Sequence, residues 1–247
     1  MNTLTAQTML QSWELAQHEP DVRRPLALLQ AAWPEVDAGE WGALPIGQRD
    51  ACLLTLHESL FGTELDTVVA CPSCGETLEL SFSSEQLRRP APEADSGTPP
   101  LLRFEGYELE YRLPGSDDLV AVLDAAQGGR DAALARLLER CVLQAQRDGE
   151  AAALDELPPP LIERLQQEMA RLDPAADSSV ALECPACGHA FERRFDIGAY
   201  LWDELDDWAQ RTLAEVHVLA GAYGWSEPQV LALSASRRRH YIALVQG

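Results

Sequence analysis

The chain contains no lysine. All nineteen of its basic residues are arginine, set against forty Asp and Glu, for a formal charge of −21 over 247 residues. High-GC codon usage accounts for the arginine bias more simply than function does. The shortage of positive charge excludes more. A surface this acidic repels phosphate backbones, which argues against nucleic acid as a partner. Long apolar runs are missing as well: none approaches the ~18 residues needed to span a membrane, so no membrane insertion is expected. Met1–Thr8 is polar and lacks the basic n-region of a signal peptide. A cytoplasmic chain with reduced thiols is the expectation that follows.

Catalytic motifs are also absent. There is no H-E-x-x-H, no G-x-x-x-x-G-K-[ST], no G-x-G-x-x-G after a strand and no G-x-S-x-G. The histidines at 18, 57, 189, 217 and 240 are dispersed, with no obvious Cys or Ser partner. Asp203, Glu204, Asp206 and Asp207 crowd one segment, where a paired-carboxylate site can be imagined. Neighbouring acids on a helix point around it and do not converge, so a solvated acidic face is the plainer reading. No enzyme is expected.

What the chain does have is one cysteine device used twice. Cys71-Pro72-Ser73-Cys74-Gly75 and Cys184-Pro185-Ala186-Cys187-Gly188 share the pattern C-P-x-C-G. Two residues between cysteines let both sulfurs face one ion from a tight turn. Proline pre-sets that turn, and the following glycine can take positive φ where the chain leaves it. In both copies a Phe follows the second cysteine by eight residues, at Phe82 and Phe195, after a roughly alternating run. Each knuckle is therefore expected to top a hairpin, Leu65–Val69 with Leu78–Phe82 and Val180–Glu183 with Ala190–Phe195. One hairpin supplies half a coordination shell. Together Cys71, Cys74, Cys184 and Cys187 complete a closed tetrahedral site for one structural Zn2+, a zinc ribbon split by the residues between. Two disulfides, separate metals or redox chemistry are the competing readings, and a reducing compartment weighs against the first. His189 is a spare ligand that four thiolates make unnecessary. Cys52 and Cys141 sit among leucines and read as small buried hydrophobes.

The predicted fold is α+β and mainly helical, long enough for one large core or two modest ones. Residues 1–62 read as N-terminal helices over Thr5–Gln17, Leu26–Trp33 behind Pro25, and Gly47–Phe61. The first knuckle hairpin takes 63–88. An insertion, 89–178, opens with a Pro-rich linker, Arg89–Pro100, expected to be mobile or extended. A hairpin follows over Leu101–Leu113, turning at Glu105-Gly106. Then come a helix from Asp117 capped by Ser116 and helices over Asp131–Arg147 and Leu161–Leu172. The second knuckle hairpin takes 179–196. Residues 197–247 form the C-terminal helices: a long one from Ile197 to Tyr223, a short one with Ser226 and Gln229 as a capping box, and a last one behind Ser234 or Ser236.

This last segment carries a resemblance. Phe195–Trp208, Leu213–Ala220, Ala222-Tyr-Gly-Trp-Ser-Glu227 and Leu231–Tyr241 with its Arg237-Arg238-Arg239 run resemble the T4-type baseplate hub assembly proteins of contractile phage tails. Relatives of that family accompany extracellular contractile injection systems. The likeness extends more loosely to the N-terminal helices and leaves Glu76–Glu183 unplaced; the knuckles look like an elaboration of injection-system relatives. It implies a zinc-stabilised, non-catalytic protein that binds baseplate, hub or tail proteins while the tail is built. Such a protein is either an assembly chaperone or a minor structural part that stays in the particle. Trp202, Trp208, Trp225, Arg237, Arg238, Arg239 and Tyr241 are the candidate interface, with core packing for the aromatics and a solvated face for the arginines as the plainer readings. The alternative function is a zinc-ribbon regulator or adaptor acting on nucleic acid or transcription machinery, which the charge opposes.

Overall fold

The computed structural model describes residues 1–90 and 98–246 and is α+β, mainly helical. Its contacts divide it into two units, residues 1–37 with 198–247, and residues 38–197. The centre of the Pro-rich linker, residues 91–97, lies outside the described residues.

The chain begins with α1 (Ala6–Ala16) and α2 (Arg24–Ala32). Thr5 caps α1 by accepting the Thr8 N–H at 3.1 Å, and Pro25 sits in the first turn of α2, where a missing N–H costs nothing. In the second unit a short α3 (Ala38–Ala43), unmarked by any apolar period, precedes α4 (Ile46–Leu60). Leu53, Leu54, Leu56 and His57 form the buried face of α4; Cys52 is half-buried, less covered than its leucine neighbours led one to expect. Next come β1 (Glu64–Ala70) and β2 (Thr77–Ser83), an antiparallel pair in the register Ala70 opposite Thr77.

The insertion is folded. Strands β3 (Leu101–Phe104), β4 (Tyr107–Tyr111), β5 (Val142–Arg147) and β6 (Glu150–Ala151) form an antiparallel sheet in that order, with α5 (Ser116–Ala125) and α6 (Arg130–Cys141) between β4 and β5 and α7 (Pro159–Leu172) after β6. Leu102, Leu109, Tyr111, Leu138, Leu161 and Leu165 close its core. The helix predicted over Asp131–Arg147 stops at Cys141, and Val142–Arg147 is a strand laid against Tyr107–Tyr111. Tertiary pairing overrides a weak local helical period. The Asp148-Gly149 turn, with both φ positive, was the hairpin signal for it. Ser116 lies inside α5 and does not cap it; the Asp118 carboxylate accepts the Gly115 N–H at 2.9 Å instead, and the Ser116 hydroxyl accepts from Arg49 at 2.9 Å.

Buried charge fixes the insertion. Asp118, 1% exposed, takes Arg112 bidentately at 2.6 and 2.8 Å and Arg140 at 2.5 Å. Beneath α4, Asp173 accepts the Gly47 N–H at 2.9 Å and so caps that helix from the far end of α7. Asp50 pairs with Arg49 at 2.7 Å, yet burial pushes its carboxyl up to about 6.

The strands β7 (Ser179–Glu183) and β8 (Ala190–Arg194) form the second two-stranded antiparallel sheet. The chain ends with α8 (Ile197–Tyr223), α9 (Glu227–Leu231) and α10 (Ala235–Gln246). Leu10, Ala209, Val216, Leu219, Val230 and Leu231 make the core of the first unit. Ser226 and Gln229 form the expected capping box, and Ser234 caps α10 through the Arg237 N–H at 3.3 Å. Among the described residues no helix is long and apolar enough to cross a membrane.

Candidate metal centre

The two knuckles are built alike. In each, the glycine N–H returns to the first cysteine's carbonyl, Gly75 to Cys71 at 2.9 Å and Gly188 to Cys184 at 2.8 Å. Each first cysteine then donates its own N–H across the hairpin, Cys71 to Glu76 at 2.8 Å and Cys184 to His189 at 3.0 Å. Gly75 at φ +77° and Gly188 at φ +70° occupy the left-handed region that the turn demands. Identical local rules applied at two places give two identical half-sites.

The halves meet. The Sγ atoms of Cys71, Cys74, Cys184 and Cys187 all lie within 4.8 Å of one another, with Cys71 and Cys184 buried and Cys74 and Cys187 exposed. Two cross-pairs are in hydrogen-bond contact, Cys71 with Cys187 at 3.8 Å and Cys74 with Cys184 at 3.6 Å. Four sulfurs bound at 2.3 Å to one ion in a regular tetrahedron stand about 3.8 Å apart. A disulfide would bring a pair to about 2.05 Å, and all four thiols are free. The two measured spacings fit a four-coordinate metal shell, and the four thiols could hold a metal ion. Among the described residues no other group of three or more His, Cys, Asp or Glu side chains converges in this way.

The thiols of the cluster differ in how readily they ionise. Burial opposes ionising Cys71, but the N–H groups of Cys74 and Ser73 and the sulfurs of Cys74 and Cys184 outweigh it and bring that thiol down to about 7. At Cys74 the Glu76 N–H favours the thiolate, but the neighbouring sulfurs, Cys187 first among them, push it up to about 12. Four thiols this close cannot all ionise in the absence of a cation, and one divalent ion removes the conflict.

Packing covers one side of the site. Leu78 is buried in one cluster with Cys71 and Cys184, with Val69, Leu80 and Phe191 packed against them. The repeated Phe positions also meet: Phe82 and Phe195 stack edge to face at 5.3 Å and 84°. His189 lies along Phe191 at 6.0 Å and stays outside the sulfur cluster. Cys141 is fully buried in the insertion, where burial pushes its thiol up to about 11.

The residues singled out as a protein interface lie in the other unit. Trp202 carries the Arg24 guanidinium over its ring at 5.3 Å, and Trp208 packs half-buried on the core. Trp225 stacks on Tyr223 at 4.7 Å and meets Tyr241 edge-on at 5.1 Å. The three arginines differ. Arg237 and Arg239 are exposed, whereas Arg238 is 4% exposed, paired with Glu215 at 2.6 Å and bonded to the Leu233 carbonyl at 2.8 Å. Arg238 is thus a strut inside its own unit. In the acidic run of α8, Asp206 accepts the Trp13 indole N–H at 2.8 Å.

The fold and site define an α+β protein whose larger unit brings four cysteines from two hairpins together. Residues 28–197 match the family of the T4 bacteriophage base plate protein, more than two thirds of the chain, and the chain belongs to that family. The matched span takes in both knuckles and the Glu76–Glu183 insertion that the sequence left unplaced, and it ends near Phe195, where the quoted C-terminal likeness begins. No curated protein and no solved structure matches the chain.

Proposed function

We infer that the protein is a non-catalytic, zinc-stapled binding factor for baseplate proteins in the assembly of a contractile, phage-tail-like particle. The family membership carries the baseplate half of this reading. The four-sulfur geometry supports the staple. Cys71, Cys74, Cys184 and Cys187 would hold the ion, leaving no position for a substrate, so its contribution is folding energy and not chemistry. Zinc suits a closed thiolate shell with no redox duty; iron takes the same shell. Metal analysis separates them, with one zinc per chain expected and a coloured, iron-loaded protein refuting the choice.

The reading places the protein in the cytoplasm while the tail is built, acting as chaperone or minor structural part. Affinity purification of tagged protein from its native host should recover hub, spike or tube proteins. Recovery of unrelated partners alone would sink the assembly role. A zinc-ribbon regulator would instead retain duplex or single strands in a low-salt shift assay, which a charge of −21 opposes.

A further inference from the structure

An open groove of about 450 Å³ runs beside the sulfur cluster, with one wall from each knuckle hairpin. Its apolar lining comes from Leu78, Leu80 and Pro185, and its acidic lining from Glu76, Glu79 and Glu183. Consecutive strand residues point to opposite faces, so a groove touched by Thr77, Leu78, Glu79 and Leu80 in succession follows the strand's edge.

Register fixes which backbone groups that edge offers. The Cys71 N–H bonds to the Glu76 carbonyl and the Ser84 N–H to the Thr63 carbonyl, both at 2.8 Å. Bonded and non-bonded pairs alternate in an antiparallel ladder, so Leu78, Leu80 and Phe82 spend their backbone groups on β1. Thr77, Glu79 and Ser81 then direct N–H and C=O away from β1, on the open side of a sheet of only two strands. The same count from the bonded Cys184–His189 pair makes Glu183 an outward position of β7. An unpaired strand edge is a template for another extended chain.

Charge names the kind of chain. No Arg or His among the described residues pairs with Glu76, Glu79 or Glu183. Four thiolates around a divalent ion would add a further net negative centre alongside. The equivalent side of the other knuckle differs in chemistry: Leu78 corresponds to Phe191, Leu80 to Arg193 and Glu76 to His189. The matched positions of the two knuckles thus carry different side chains.

We propose that this groove binds an extended, arginine- or lysine-bearing segment of a protein partner, added as a third strand beside β2. Backbone bonds to Thr77 and Glu79 supply the register; Glu76, Glu79 and Glu183 select the basic side chains; Leu78 and Leu80 take small apolar residues between them. The proposal rests on the metal staple, because the staple holds the two walls together.

The test uses the full metal-loaded chain and a fluorescein-labelled decapeptide of alternating arginine and valine, read by anisotropy at physiological salt. Substituting Glu76→Gln, Glu79→Gln and Glu183→Gln together should weaken binding at least tenfold. Asp124→Asn, Glu150→Gln and Asp155→Asn, the same charge change at exposed remote sites, should leave it within about twofold. Hydrogen exchange on the unsubstituted protein should show the Thr77 and Glu79 amides slowed by the peptide. A peptide with proline in place of valine should not slow them. Equal loss in both triple variants, unchanged exchange at Thr77 and Glu79, or no binding overturns the groove. Zinc content measured on the same sample keeps the two ideas apart: zinc present without binding removes only the groove, and zinc absent removes the staple.

Discussion

Stripping the metal should cost the larger unit far more than its four side chains suggest. A bound ion would tie Cys74 to Cys184 across 110 positions of chain. By the chain-entropy relation for a cross-link, closing a loop of that length restricts the unfolded state by about 5 kcal/mol at 25 °C. Typical domains hold only about 5–15 kcal/mol in total. Structural zinc in small peptides contributes about 10–16 kcal/mol, so the loop figure is the conservative one. At about 2–4 °C per kcal/mol for a unit of this size, a zinc-selective chelator should lower Tm by about 10–20 °C in calorimetry. Cys184→Ser should reproduce most of the drop and abolish further response to chelator. Cobalt substitution would report tetrahedral thiolate coordination by its visible absorption. Superimposable melts with and without chelator, on protein shown to contain metal, would refute the staple.

Three further outcomes test the local arguments. Gly75→Ala and Gly188→Ala meet no atom within 4 Å, so each should lose about 1–2 kcal/mol through left-handed strain alone, seen in urea unfolding together with weakened metal affinity; unchanged stability in both would contradict the turn geometry. Asp118→Asn should cost about 1–3 kcal/mol by weakening the charge-assisted hydrogen bonds from Arg112 and Arg140, whose side chains are about a third exposed. Burial works to raise the Asp118 pKa, but hydrogen bonds from Arg112, the Gly115 N–H and Arg140 outweigh it and hold the carboxyl below its ordinary value. Its contribution is therefore full above the unfolded pKa of about 4 and is lost as pH falls through the lower folded value. The variant should flatten the acid limb of stability against pH, and an unaltered limb would show the network is not the source. Arg238→Glu should destabilise by about 3–5 kcal/mol by setting two carboxylates together in a buried site, so that binding assays on it report folding; a melt unchanged from wild type would restore Arg238 as a surface residue.

Much of this molecule was legible in the chain because the signals are short-range. C-P-x-C-G encodes its own turn, and the helices over Ala6–Ala16, Ile46–Leu60 and Ile197–Tyr223 follow from apolar spacing and caps. Where the reading failed, the deciding contact was remote. Val142–Arg147 is a strand because Tyr107–Tyr111 lies beside it, and Ser116 gave up its capping role because Arg49, far away in sequence, takes its hydroxyl. Arg237, Arg238 and Arg239 look equivalent on paper, and only Glu215 distinguishes the middle one.

Residue order alone therefore determined the two half-sites, their glycine turns and the hairpins beneath them, since each closes within twenty residues. It also determined a charge balance hostile to nucleic acid. Only the tertiary structure decided that the halves share one centre, with Cys71 facing Cys187 and Cys74 facing Cys184, and that a groove with an unpaired strand edge opens beside it. The reason is physical: a turn is specified by its own backbone, but the convergence of sulfurs 110 and 116 positions apart depends on every packed residue between them.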